Sequence, residues 1–138
     1  MKTLSFLILS IFYIISCSTG IYPLEPSKDN YDVLIAPTGK SEDIFVEFGF
    51  TNITDNTLWY WGYSENSPMY LAQVRSDSGW VHYLGWCGTG LRKIPFHPYR
   101  SFKINVMKPS TNKAWRVGLQ VFRGVEGGVE EYWSDVQH

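Results

Sequence analysis

A chain of 138 residues is long enough for one domain and short for two. With 44% hydrophobic and 18% charged residues it can build a packed core, which excludes a wholly disordered chain. The formal net charge of −1, with no clustered basic face, argues against nucleic acid as a partner.

The first element is a signal. MKTLSFLILSIFYIISC carries one basic residue, Lys2, and then an apolar run over residues 4–15. That is the pattern of an export signal, too short and wrongly flanked for a stable membrane span. Residues 1–16 are therefore read as a lipoprotein-type signal peptide. Its end, Ile14-Ile15-Ser16-Cys17, resembles the bacterial lipobox, in which a small residue precedes a cysteine. The resemblance implies cleavage before Cys17 and diacylglycerol on its sulfur, hence a membrane partner through the lipid. The other reading is an ordinary secretory signal cut a few residues later, with Cys17 discarded. Either way Cys87 is left as the lone cysteine of the mature chain, and an internal disulfide is impossible. The expected location is the bacterial cell envelope, at the outer membrane if there is one, and otherwise secretion.

Residues 17–40 hold Pro23, Pro26, Pro37 and Gly39 among polar residues and read as a tether. Within it, YDVLIA (31–36) is a candidate edge strand. Residues 41–138 form the domain, and there the pattern has the two-residue period of strands. DIFVEFGFTN puts Ile44, Val46, Phe48 and Phe50 on one face. LWYWGY (58–63), MYLAQV (69–74), GWVHYLGW (79–86), SFKINV (101–106), AWRVGLQVFR (114–123) and EEYWSDV follow, with turn chemistry between most of them. In the fourth of these runs, alternation places Trp80, His82, Leu84 and Trp86 on one side. GTGL and the proline-bounded IPFHPYR read as a long connection. Nothing reads as an amphipathic helix.

About seven or eight short strands with regular turns indicate an all-β chain, an antiparallel β-sandwich. FGFTNITDNTLWY (48–60), PMYLAQVRSDSGW (68–80) and the proline turn into SFKINV resemble the layout of an immunoglobulin-like domain. With the WCGTGL, WRVG and YWS elements the chain is also similar to uncharacterised exported bacterial proteins of that layout. The resemblance spans residues 41–136. It implies fold and setting, and no chemistry.

Three site readings follow. Cys87, in GWCGTGL, suggests a cysteine-dependent hydrolase only if His82 or His97 reaches it and something lowers its pKa; a buried strand corner is the simpler role. Cys87, His82, His97, His138 and the carboxylates show none of the short spacings of a zinc site, so no metal and no cofactor is expected. The aromatic residues, 17% of the chain, are the stronger lead. Trp59, Trp61, Tyr63, Trp80 and Trp86 are candidate binding residues. Flat exposed rings can stack on a glycan or anchor a protein partner. A non-enzymatic binding or interaction module is the leading expectation, and a carbohydrate-binding module the alternative. Asn52-Ile53-Thr54 matches a glycosylation sequon, read here as a strand end with an Asx turn. Glu126, Glu130 and Glu131 are expected to solvate a hairpin tip, with attraction of a cation as the second reading.

Overall fold

The computed structural model describes the backbone of residues 21–22 and, in full, residues 31–86, 88–124 and 126–138. The signal segment, Cys17, most of the tether and Cys87 lie outside the described residues. The described chain holds no helix. It forms eleven strands: β1 (Ile21–Tyr22), β2 (Val33–Glu42), β3 (Phe45–Asn52), β4 (Leu58–Ser64), β5 (Ser67–Pro68), β6 (Tyr70–Ser76), β7 (Gly79–His82), β8 (Arg92–Phe96), β9 (Ser101–Met107), β10 (Trp115–Phe122) and β11 (Val129–Trp133).

These strands make two antiparallel sheets that enclose one core, an all-β sandwich compatible with an immunoglobulin-like domain. The smaller sheet has the order β2-β3-β9. In the larger, β10 is the hub. It pairs with β11 along one edge, and with β6 and then β4 along the other. β7 and β1 extend beyond β6, and β8 pairs with β4.

Alternation decides which side chains meet inside. Phe48 and Phe50 of β3, Phe102 and Val106 of β9, Tyr60 of β4 and the odd-numbered residues of β10 all face the core and are buried. Phe50 and Phe102 stack at 5.1 Å within the small sheet. Tyr60 meets Phe102 across the sandwich at 5.2 Å, and Phe48 meets Trp115 edge-on at 5.7 Å. Each such pair adds roughly 0.5–1.5 kcal/mol beyond its buried area.

Several expectations are corrected. The stretch read as a connection contains β8, which pairs with β4 at five positions from Leu58–Phe96 to Gly62–Arg92. Ile94 and Phe96 are buried, and Pro95 is tolerated because β8 is an edge strand, where a missing N–H need not break a ladder. β8 and the two-residue strands β1 and β5 account for the excess over eight. Residues 33–40, placed in a tether by composition, are sheet: β2 runs on past Ala36 to Glu42, with a register shift between Pro37 and Ser41. Alternation in GWVHYLGW ends with β7 at His82. Tyr83 and Leu84 are consecutive, yet both pack against the core.

Asn52 is wholly buried, so the sequon reading falls and the Asx turn stands. Its Oδ1 accepts from the Thr54 backbone N–H (3.0 Å) and Oγ1–H (2.7 Å). Its Nδ2 donates to the carbonyls of Asn56 and Phe96, both at 2.8 Å. One side chain thereby fastens the β3–β4 loop to the end of β8.

Candidate functional site

The residues of chemical interest collect on the outer face of the larger sheet, the side turned away from the core. β10 is buried at seven of its eight positions, so that face is covered as well. Its register explains the layer. Outward residues of β10 are Arg116, Gly118, Gln120 and Phe122. Beside them stand Gln73 of β6, Trp133 of β11 and Trp59 of β4. β7 adds His82 opposite Gln73 and Trp80 opposite Arg75.

Arg116 is the centre of one half. Its guanidinium lies 4.3 Å from the ring centroids of both Trp80 and Trp133. Its Nε donates to Gln73 Oε1 (3.0 Å), and Gln73 Nε2 in turn donates to His82 Nε2 (3.2 Å). The Arg75 guanidinium also lies near Trp80, 5.4 Å from its centroid. Burial pushes the His82 imidazole below its ordinary value; Glu131 opposes this and Arg116 adds to it. Gly118 is required here, because a Cβ would stand 2.7 Å from Trp133 Cε3. In the other half Trp61 meets Phe122 edge to face at 5.7 Å, and the Lys93 ammonium sits 4.5 Å from the Phe122 centroid and 5.8 Å from that of Trp61.

Between Trp61 and residues 88–91 the layer opens into a shallow cavity of about 360 Å³. It is lined by Trp61, Met69, Gly88, Leu91 and Gln120. That volume is at the small end of the range for ligand sites. Gln120 is held in place by donating to Glu131 Oε1 (3.1 Å).

The five candidate rings are therefore sorted by the fold. Trp61 lines the cavity. Trp59 shares its face, half-buried opposite Pro95. Tyr63 and Trp86 approach each other at 6.4 Å and 44°, and Trp86 Nε1 donates to the Tyr70 carbonyl at 2.6 Å. Trp80 is on this face but only 7% exposed, beneath two arginines. Trp61 meets Phe122, and Trp86 meets Tyr63 and Tyr70, at interplanar angles from 44° to 90°. Sequence reasoning missed Arg116, Phe122, Lys93 and Trp133. The alternation W-R-V-G-L-Q-V-F already puts Arg116, Gly118, Gln120 and Phe122 on one side.

Of the histidines, His82 is half-buried in the Gln73 network. His97 directly follows β8. Among the described residues no three His, Cys, Asp or Glu side chains gather as a metal site. Glu130 does not merely solvate the hairpin. It pairs with Arg123 (3.0 Å) and accepts from the Tyr132 hydroxyl, while Arg123 also bridges to Asp32 at the start of β2. This clasp ties the two sheets together.

A scan of known protein families, a search of curated proteins and a search of solved structures each found no match to this chain.

Proposed function

We propose that the chain is an exported bacterial domain, held at an envelope membrane by lipid on Cys17, that acts as a non-enzymatic binding module for a protein partner. The observation that carries this reading is the notch lined by Trp61, Met69, Gly88, Leu91 and Gln120. It is an opening beside a strand, β10, that is buried at seven of its eight positions. An aromatic, a thioether and a leucine suit a single apolar anchor residue, and the amide supplies one directional bond. Rings that meet at steep angles suit such an anchor better than the flat face of a sugar.

A photo-crosslinking residue at Leu91 in intact cells tests this, with Asp77 in the β6–β7 turn as control. One defined protein adduct, absent at position 77 and lost with Trp61→Ala, supports the reading. Adducts equal at both positions overturn it. A saturable tryptophan fluorescence shift with polysaccharide, abolished by Trp61→Ala, would move the assignment to carbohydrate recognition. Rapid thiol labelling of Cys87 in the native protein, with a lowered apparent pKa, would reopen the hydrolase reading.

A further inference from the structure

Among the described residues the smaller sheet ends in two unpaired strands, β2 and β9. The ladder bonds decide which backbone groups β9 presents. Lys108 N–H donates to the Ile44 carbonyl (2.8 Å) and Asn52 N–H to the Arg100 carbonyl (3.1 Å), and both pairs continue the β3–β9 register. Even-numbered residues of β9 therefore turn N–H and C=O towards β3, and odd-numbered residues turn theirs outwards. The Met107 carbonyl agrees, since on that outward side it accepts from the Tyr83 hydroxyl (2.8 Å). Ser101, Lys103 and Asn105 are left with outward N–H and C=O groups that no described strand pairs.

Two other edges are blunted in a way that this one is not. In β2 the bond from Ile53 N–H to the Asp32 carbonyl (2.9 Å) turns even-numbered residues towards β3. Pro37 therefore stands on the free side, where it has no N–H to offer, and the register shift follows it. In β4 the Trp61 carbonyl accepts from Met69 N–H (2.7 Å), on the side away from β8. Even-numbered residues of β4 therefore bond β8, and Pro95, opposite Trp59, sits at the free edge of β8. β9 has neither proline nor bulge, and its register with β3 is unbroken over seven positions. Its side chains alternate cleanly. Phe102 and Val106 are buried with Ile104 half-buried between them, and Ser101, Lys103 and Asn105 are exposed. Such an edge is a template for another strand.

We propose that the strand it takes is β9 of a second copy, antiparallel about a two-fold axis at Ile104. Charge selects that centre. An axis at Lys103 sets like charges directly opposite, which is destabilising. An axis at Asn105 needs the Met107 carbonyl, already engaged by Tyr83. An axis at Phe102 sets Lys103 against the second copy's Ser101, in a row with Thr51 and Leu34 and no carboxylate. An axis at Ile104 sets Lys103 opposite the second copy's Asn105, whose neighbour in the same row is Glu47. Each Lys103 then has its own Glu47 on one side, at 3.4 Å, and the second copy's Glu47 beyond Asn105 on the other. A lysine ordinarily blunts an edge; here its charge is met from both sides. On the inner row Phe102 faces Val106 and the two Ile104 side chains meet, so the half-buried rim of the core closes on itself. Lys103 and the second copy's Asn105 exchange both backbone bonds, and symmetry repeats the exchange. The notch is on the outer face of the other sheet and takes no part.

The test places a photo-crosslinking residue at Asn105 of the full chain in intact cells, with Ser78 in the β6–β7 turn as control. A product of doubled chain mass is expected from position 105 and not from 78, with the linked peptide of the second copy holding Lys103. Lys103→Glu should cut that product several-fold, and adding Glu47→Lys should restore it. Lys103→Pro removes the outward N–H, as Pro37 and Pro95 do at their own edges, and should abolish the product with the circular dichroism of the domain unchanged. If Lys103→Pro unfolds the domain, the charge-reversal pair decides. Absence of the doubled product, or an equal yield in Lys103→Glu, overturns the proposal. A product with a different protein overturns the second copy as the occupant of this edge.

Discussion

Gly118→Ala is the sharpest probe of the covered outer face. A methyl at that position would stand 2.7 Å from Trp133 Cε3 and 2.9 Å from Cδ2 and Cζ3, where ordinary contact begins near 3.4 Å. The indole must lift by at least half an ångström, and that movement disturbs its contact with the Arg116 guanidinium, 4.3 Å from the ring centroid. Overpacking of this kind costs about 1–3 kcal/mol. Loosening the cation–π contact adds roughly 0.5–1 kcal/mol. The unfolded chain gives back about 0.4–1 kcal/mol, because alanine has less freedom to lose than glycine. The expected net loss is about 2 kcal/mol, read as a lowered urea midpoint by circular dichroism with an unchanged slope. In a Trp133→Ala background the clash is gone, and Gly118→Ala should become neutral or slightly stabilising. Equal effects in the two backgrounds would refute the idea that Trp133 is what demands a glycine.

Asn52→Asp replaces two donors by a carboxylate facing the carbonyls of Asn56 and Phe96; a loss of about 3 kcal/mol is expected at neutral pH, and partial recovery on acidification, both by urea titration. Burial, with a smaller contribution from Glu65, pushes the Tyr60 phenol up to about 12. A raised folded value means that its contribution is complete below the unfolded value near 10 and is lost as pH rises towards 12. Tyr60→Phe should flatten the fall of stability across that window by the slope of one proton. The Tyr132 hydroxyl first, and Arg123 second, hold the Glu130 carboxyl below its ordinary value. That contribution is present above about pH 4.5 and disappears as pH falls through the lower folded value. Melting temperatures from pH 7 to pH 3 should fall less steeply in Tyr132→Phe than in the parent.

What could be read from the sequence depended on whether neighbours in space were also neighbours in the chain. FVEFGFTN, SFKINV and WRVGLQVF declare strands through alternation alone, because burying one face imposes a two-residue period. β8 does not, since Pro95 mimics a loop signal and only pairing with Trp59 reveals a strand. Trp59 and Trp61 could be assigned a common face, but not whether that face was bare. The answer lay in Arg116 and Trp133, brought there by the pairing of β6, β10 and β11. The notch is non-local in the same way: Met69, Gly88, Leu91 and Gln120 meet Trp61 only because β4 departs from β10 where β6 joins it.

That covered layer also constrains where a ligand can bind. A partner seated on Trp80 or Trp133 would have to displace Arg116, which is 7% exposed and bonded to Gln73. Stripping a buried guanidinium of its partners costs several kcal/mol, more than a small contact returns. Trp61 needs no displacement, since empty volume already adjoins its ring. The two tryptophans should therefore separate by experiment. Trp80→Ala removes a packed side chain and should cost about 3–5 kcal/mol of stability, with binding by the surviving folded fraction unchanged. Trp61→Ala should cost less stability, because the ring is only half-buried, and should abolish the adduct formed from Leu91. If Trp80→Ala removed that adduct while the domain stayed folded, the stacked arginine layer, and not the notch, would be the binding surface.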